Sequence, residues 1–189
     1  REAIAAVVGA RGLTAIEDDV YGHLPRQRPP PLAAWAPEGV LLIGSLSKSI
    51  APWLRVGWLR APRHLAAGVR SAVAMSCWAP PPLGAALAAR WIADGTAEAM
   101  LEWQRTEIAA RQALARAILG THAAGSRDDG LHLWVRVPDG LHPDTLQAAA
   151  AARGVRIVAS GMFAVGEDRT PAIRLALGAG TVERSPLTR

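Results

Sequence analysis

Ile16-Glu17-Asp18-Asp19-Val20-Tyr21-Gly22, then Gly44-Ser45-Leu46-Ser47-Lys48, then Leu54-Arg55-Val56-Gly57-Trp58: three short stretches, in this order, decide how the chain reads. The first closes an apolar run, Leu13 to Ile16, with three carboxylates. A buried parallel strand ends in this way when it delivers polar residues to its C-terminal edge. The second follows another apolar run, Val40 to Ile43, and the third opens a run from Val56 to Leu59 that Pro62 stops. Taken singly, each has an ordinary explanation. A strand-end Asp serves as a cap or turn residue, a Ser-x-Ser-Lys string arises by chance, and a lone Arg is usually a solvated charge.

The lysine of the second stretch stands out in composition. Of 21 basic residues Lys48 is the one lysine, the rest being arginine. Arginine cannot lose its proton near neutral pH and cannot act as an amine nucleophile. A position that stays lysine in so arginine-rich a chain is a candidate for amine chemistry, the alternative being a surface lysine retained by chance. The 189 residues are half hydrophobic and one-fifth charged, which suits a globular protein. No apolar run approaches the ~18 residues of a membrane span. The net charge of +5 and pI of about 10.8 come from scattered arginines, which argues against a nucleic-acid stripe in this segment. Cys77 is the lone cysteine, so no internal disulfide forms, as suits a reducing, cytoplasmic setting. The first residue is Arg1, and the natural N-terminus is expected upstream.

The pattern predicts an α/β chain. Residues 1–10 read as a helix end, 25–39 as a proline-rich loop, and 62–75 and 82–93 as helices. Thr96 is expected to cap a long helix to Leu119, with Gly120 just beyond. Met100, Trp103, Ala110, Leu114 and Ala117 recur at helical spacing and are expected in the core. Strands are expected at Leu131–Val137, Val155–Val158 and Ile173–Leu177, and a helix at 143–153. This gives three parts: 1–95 within a large domain, a bridging helix at 96–119, and a small α/β domain from 120 to 189. Cys77-Trp78, near a proline break, is expected in packing. His23, His64, His122 and His142 lack metal-ligand spacing, so no metal is expected.

Together the three stretches resemble the cofactor-binding core of the fold type I pyridoxal-phosphate (PLP) enzymes, the aspartate aminotransferase superfamily. The resemblance runs over nearly the whole chain and is strongest from Ile16 to Leu59. It implies the C-terminal part of a large, mainly parallel-sheet domain followed by a small α/β domain. It implies roles as well. Lys48 would hold PLP as a Schiff base and act as general base. Asp18 would keep the pyridine nitrogen protonated, and Tyr21, the lone tyrosine, would hydrogen-bond the ring oxygen. Ser45, Ser47 and Arg55 would bind the phosphate. Arg174, alone among apolar residues in Ala172–Leu177, would grip the substrate α-carboxylate, an intramolecular salt bridge being the alternative. His132 would line the substrate pocket or be a satisfied interior residue. The implied activity is amino-group transfer between an amino acid and a 2-oxo acid, in a homodimer.

Within the superfamily, Leu46-Ser47-Lys48-Ser49-Ile50-Ala51-Pro52, the stretch from Arg90 to Glu98, and Gly130-Leu131-His132-Leu133-Trp134-Val135 resemble the aminotransferase-like domains of MocR-type regulators of the GntR family. That resemblance implies the alternative of a ligand-sensing domain, with nucleic acid bound only by a preceding winged helix. It also implies further chain before the Asp18 stretch, carrying a phosphate-cupping turn and a ring-stacking aromatic, and a closing helix beyond Glu183–Leu187.

Overall fold

The structure is a computed structural model, and it describes residues 1–79, 81–123, 127–166 and 170–178. They form two compact units, Arg1–Arg105 and Thr106–Arg189. The division falls inside a 24-residue helix.

The first unit opens with α1, Glu2–Arg11. Gly12 ends it in the left-handed conformation (φ 59°), and the Leu13 N–H reaches back to the Val8 carbonyl at 3.0 Å. That is a glycine C-cap closing a helix where a side chain would be strained. Three strands follow: β1 (Ala15–Asp18), β2 (Val40–Ser45) and β3 (Gly57–Arg60). β1 pairs parallel to β2, with Asp18 opposite Ile43, whereas β3 runs antiparallel, with Gly57 opposite Ser45. A short helix, α2 (Leu32–Trp35), lies between β1 and β2. Val8, Ala33, Val40 and Leu42 pack as one core cluster. Helices α3 (Ala66–Cys77) and α4 (Pro82–Ala93) follow.

A second cluster forms under the Lys48 loop, from Leu46, Ala51, Leu54 and Ala88. Here α4 comes so close that a Cβ on Gly84 would stand 2.4 Å from the Leu54 carbonyl oxygen. No larger residue fits without moving the loop.

The 24-residue helix is α5, Thr96–Leu119. Asp94 accepts a hydrogen bond from the Thr96 N–H, so the cap comes from Asp94 rather than from Thr96. Gly120, just past the end, is left-handed.

The second unit holds an antiparallel sheet in the order β4 (His132–Arg136), β6 (Ala172–Ala176), β5 (Val158–Ala159). Leu133, Val135, Val137, Ile173 and Ala123 form its core. Alternation along β4 puts His132, Trp134 and Arg136 on the other face. Helix α6 is Pro143–Ala151, and Gly154 turns the chain beyond it with φ 76°.

Several expectations are corrected. In β1, Ile16 is 70% exposed while Glu17 and Asp19 are buried, because ion pairing rather than apolar packing fills that side. The core stripe of α5 is Ala97, Leu101, Ile108 and Gln112, whereas Trp103 and Leu114 are exposed. Gln112 is admitted because its amide donates to the Gly130 and His132 carbonyls. Cys77 and Trp78 are exposed, not packed. The strand expected at Val155–Val158 is shorter and later, Val158–Ala159. Glu183–Leu187 lie outside the described residues.

Candidate functional site

The antiparallel turn of β3 is what gathers the candidate residues of the first unit. β1 and β2 run in parallel, so Asp18 and Ser45 close them at the same edge. β3 returns beside β2, so Arg55, two residues before Gly57, begins at that edge too.

Lys48 is exposed in the loop after β2, and its Nζ lies 5.8 Å from the centroid of the Tyr21 ring. The amine and the phenol are thus brought together from two loops.

The adjacent carboxylates are sorted by their partners. Asp19 is buried and paired with Arg28 and with Arg1. Asp18 is exposed; one of its oxygens accepts the Val20 N–H at 3.2 Å, and no cation of the described residues pairs with it.

Ser45 donates its hydroxyl proton to the Val56 carbonyl and accepts the Ser47 N–H, at 3.2 and 3.1 Å. It pins the loop to the start of β3. Arg55 has a left-handed backbone (φ 53°), a strained conformation for a residue other than glycine. Its exposed guanidinium donates to the Pro52 carbonyl at 3.3 Å, and no carboxylate of the described residues pairs with it.

His23 follows in the Tyr21 loop. Burial lowers its pKa first, and the nearby Arg28 charge lowers it further, against a smaller opposing pull from Asp19. The imidazole is neutral at pH 7.

Two residues that sequence reading did not single out hold these loops. The Gln104 amide donates to the Lys48 carbonyl at 2.9 Å. Arg105 donates to the Leu24 and His23 carbonyls at 3.0 and 2.6 Å. No motif marks them; only the register of α5 against the loops does.

In the second unit, Arg174 sits opposite Trp134 in the β4–β6 ladder. Its guanidinium carbon lies 4.9 Å from the Phe163 ring centroid, and Phe163 meets Trp134 edge-on at 5.8 Å. Among the described residues no carboxylate pairs with Arg174, and its buried Nε has no hydrogen-bond partner. The salt-bridge alternative is thus not seen there. His132 is half-buried in β4, opposite Ala176.

No protein-family model matches the chain. In structure it is similar to the α-aminoadipate aminotransferase LysN from Thermus thermophilus, solved with N-(5'-phosphopyridoxyl)-L-leucine. The TM-score is 0.79 at 26% identity, over 94% of this chain and 48% of that one. The chain has the fold of a fold type I aminotransferase over about half the length of such a chain. In sequence, this aminotransferase-like chain is similar to two uncharacterized HTH-type transcriptional regulators. YdeF of Bacillus subtilis (strain 168) is 31% identical over 89% of the chain, and YdcR of Escherichia coli (strain K12) is 31% identical over 87%. The chain spans only 36% and 37% of their lengths. Among the described residues, no helix of the aminotransferase-like chain is long and apolar enough to cross a membrane.

Proposed function

We propose that this chain binds pyridoxal 5'-phosphate through Lys48 and takes part in amino-group transfer between an amino acid and a 2-oxo acid. The observation that carries the reading is the meeting of Lys48 with Tyr21, which follows by three residues a strand-end carboxylate, Asp18, that no cation of the described residues neutralises. The donor set fits the group: an amine for its aldehyde, a carboxylate for its protonated ring nitrogen, a phenol for its ring oxygen and a guanidinium for its phosphate. When bound, the cofactor supplies an electron-accepting ring.

Lys48 would hold the cofactor through Nζ, and the same amine, once displaced by the amino acid's own amine, would serve as the base for the α-proton. Asp18 keeps the ring nitrogen charged. Arg55, with Ser47, orients the phosphate. Ser45 acts mainly through the loop, because its proton is already given to Val56. Arg174 takes the amino acid's carboxylate, with His132 beside the substrate. The chain works as a homodimer; α3 supports this, as it buries no residue and leaves Val73 and Met75 exposed.

A second reading, the ligand-sensing domain of a MocR-type regulator, is favoured by the likeness to YdeF and YdcR. One experiment tests both. The chain is mixed with the cofactor, reduced with borohydride and mapped by peptide mass. Label on Lys48 supports the site; label confined to another amine refutes it. Loaded protein is then given an amino acid and a 2-oxo acid. A new amino acid made from the oxo acid marks the enzyme, and binding without turnover marks the sensor.

A further inference from the structure

We infer that Gln104 and Arg105 are positioning residues that set Lys48 and Tyr21 against each other. The inference rests on the proposed Lys48 site. Consecutive helix positions point about 100° apart, so neighbours on α5 can serve two loops at once. Gln104 holds the Lys48 carbonyl, which has no other hydrogen-bond donor among the described residues. Arg105 holds the carbonyls of His23 and Leu24, just after Tyr21.

The two anchors differ in firmness. Arg105 is itself fixed by an ion pair to Glu102, one turn back on α5, and Glu102 also meets Arg26 at 2.6 Å, beyond Leu24 in the same loop. Leu101, buried on the same helix, ties this turn to the unit. The Tyr21 loop is therefore held by a charged network, whereas the Lys48 carbonyl itself is held by a single neutral amide. The rest of the Lys48 loop is tied to the start of β3 by Ser45 and by the Leu46 N–H on the Val56 carbonyl, and closed on itself by the Ile50 and Ala51 N–H groups on the Leu46 carbonyl. Lysine has a long, flexible side chain, so the backbone at Lys48 decides where Nζ begins its reach. Displacements of about 1 Å at a reacting group cost on the order of a hundredfold in rate.

Gln104→Met keeps length and removes the donor; Gln104→Arg restores one. Two readouts are taken, amide hydrogen exchange across residues 46–51 and 22–25, and the rate at which Lys48 captures pyridoxal 5'-phosphate, scored by borohydride and peptide mapping. Gln104→Met should speed exchange in 46–51 about three- to tenfold, the loss of one neutral hydrogen bond, and leave 22–25 unchanged. It should slow Lys48 capture with an unaltered melting temperature, and Gln104→Arg should recover both. Arg105→Met should instead loosen 22–25. Unchanged exchange in 46–51, or capture lost only in step with unfolding, overturns the inference. Failure of wild-type Lys48 to capture the cofactor would refute the proposed function, while the exchange readout would still judge the positioning role.

Discussion

Lys48 Nζ lies 5.8 Å from the centroid of the Tyr21 ring, so the chain's one side-chain amine and its one phenol occupy the same site. A phenol hydrogen bonded to the cofactor's ring oxygen favours the state in which that oxygen is anionic. Tyr21→Phe keeps the ring beneath the amine and removes the donor. The pH midpoint of the bound cofactor's absorbance should rise in that variant, while Lys48 is still labelled. An unmoved midpoint would place the phenol away from the ring oxygen.

Asp18 and Asp19 are neighbours in opposite surroundings, the first exposed without a cation among the described residues and the second buried. Asp19 is 8% exposed and meets two guanidiniums. Asp19→Asn should therefore cost about 2–3 kcal/mol, less than a fully buried pair because both arginines are partly solvated. Asp18→Asn should change stability by no more than about 0.5 kcal/mol yet cripple α-proton chemistry. Urea midpoints and a deuterium-exchange assay on the α-carbon of a bound amino acid separate the two. Asp19→Asn damaging the chemistry at unchanged stability would reverse the assignment.

The strand edges that position this site were legible in the sequence, because apolar runs ending in carboxylates and hydroxyls mark both of them. The antiparallel return of β3, which carries Arg55 to the same edge, was not. A four-residue strand has no pattern that tells its direction. Ile16 misled for a related reason: its face of the sheet is exposed, and the burial around β1 belongs to Glu17 and Asp19. On α5, Trp103 and Leu114 had helical spacing, but a buried Gln112 defines the true face, and amide satisfaction by distant carbonyls leaves no local signal. Gln104 and Arg105 were hidden in the same way.

His23 gives the fold a pH dependence. Its pKa in the folded state is below the ordinary value of about 6.5, chiefly from burial and then from Arg28. The unfolded chain therefore binds more protons between the lowered folded pKa and about 6.5. Stability rises with pH through that window and is flat above it for this group. Urea midpoints taken from about pH 5 to 8 should show the rise, and His23→Gln should reduce it. An identical slope in the variant would assign the dependence to another group.

Arg174 tests where recognition of an amino acid resides. Its guanidinium rests on Phe163, and no carboxylate of the described residues meets it. Among the described residues its buried Nε has no hydrogen-bond partner, and a guanidinium can give a carboxylate two parallel hydrogen bonds. Arg174→Ala should leave cofactor capture by Lys48 near wild type and weaken amino acid binding on the order of ten- to a hundredfold, as loss of charged hydrogen bonds does. The decarboxylated amine never used the fork and should bind almost as before. Phe163→Leu should show a weaker form of the same selectivity, because it removes the face that orients Arg174. If Arg174 is only structural, both ligands lose affinity alike and the melting temperature falls. Titrating wild type and variants with one amino acid and its matching amine, beside melting curves, decides between them. Equal losses for the two ligands would end the carboxylate-binding role.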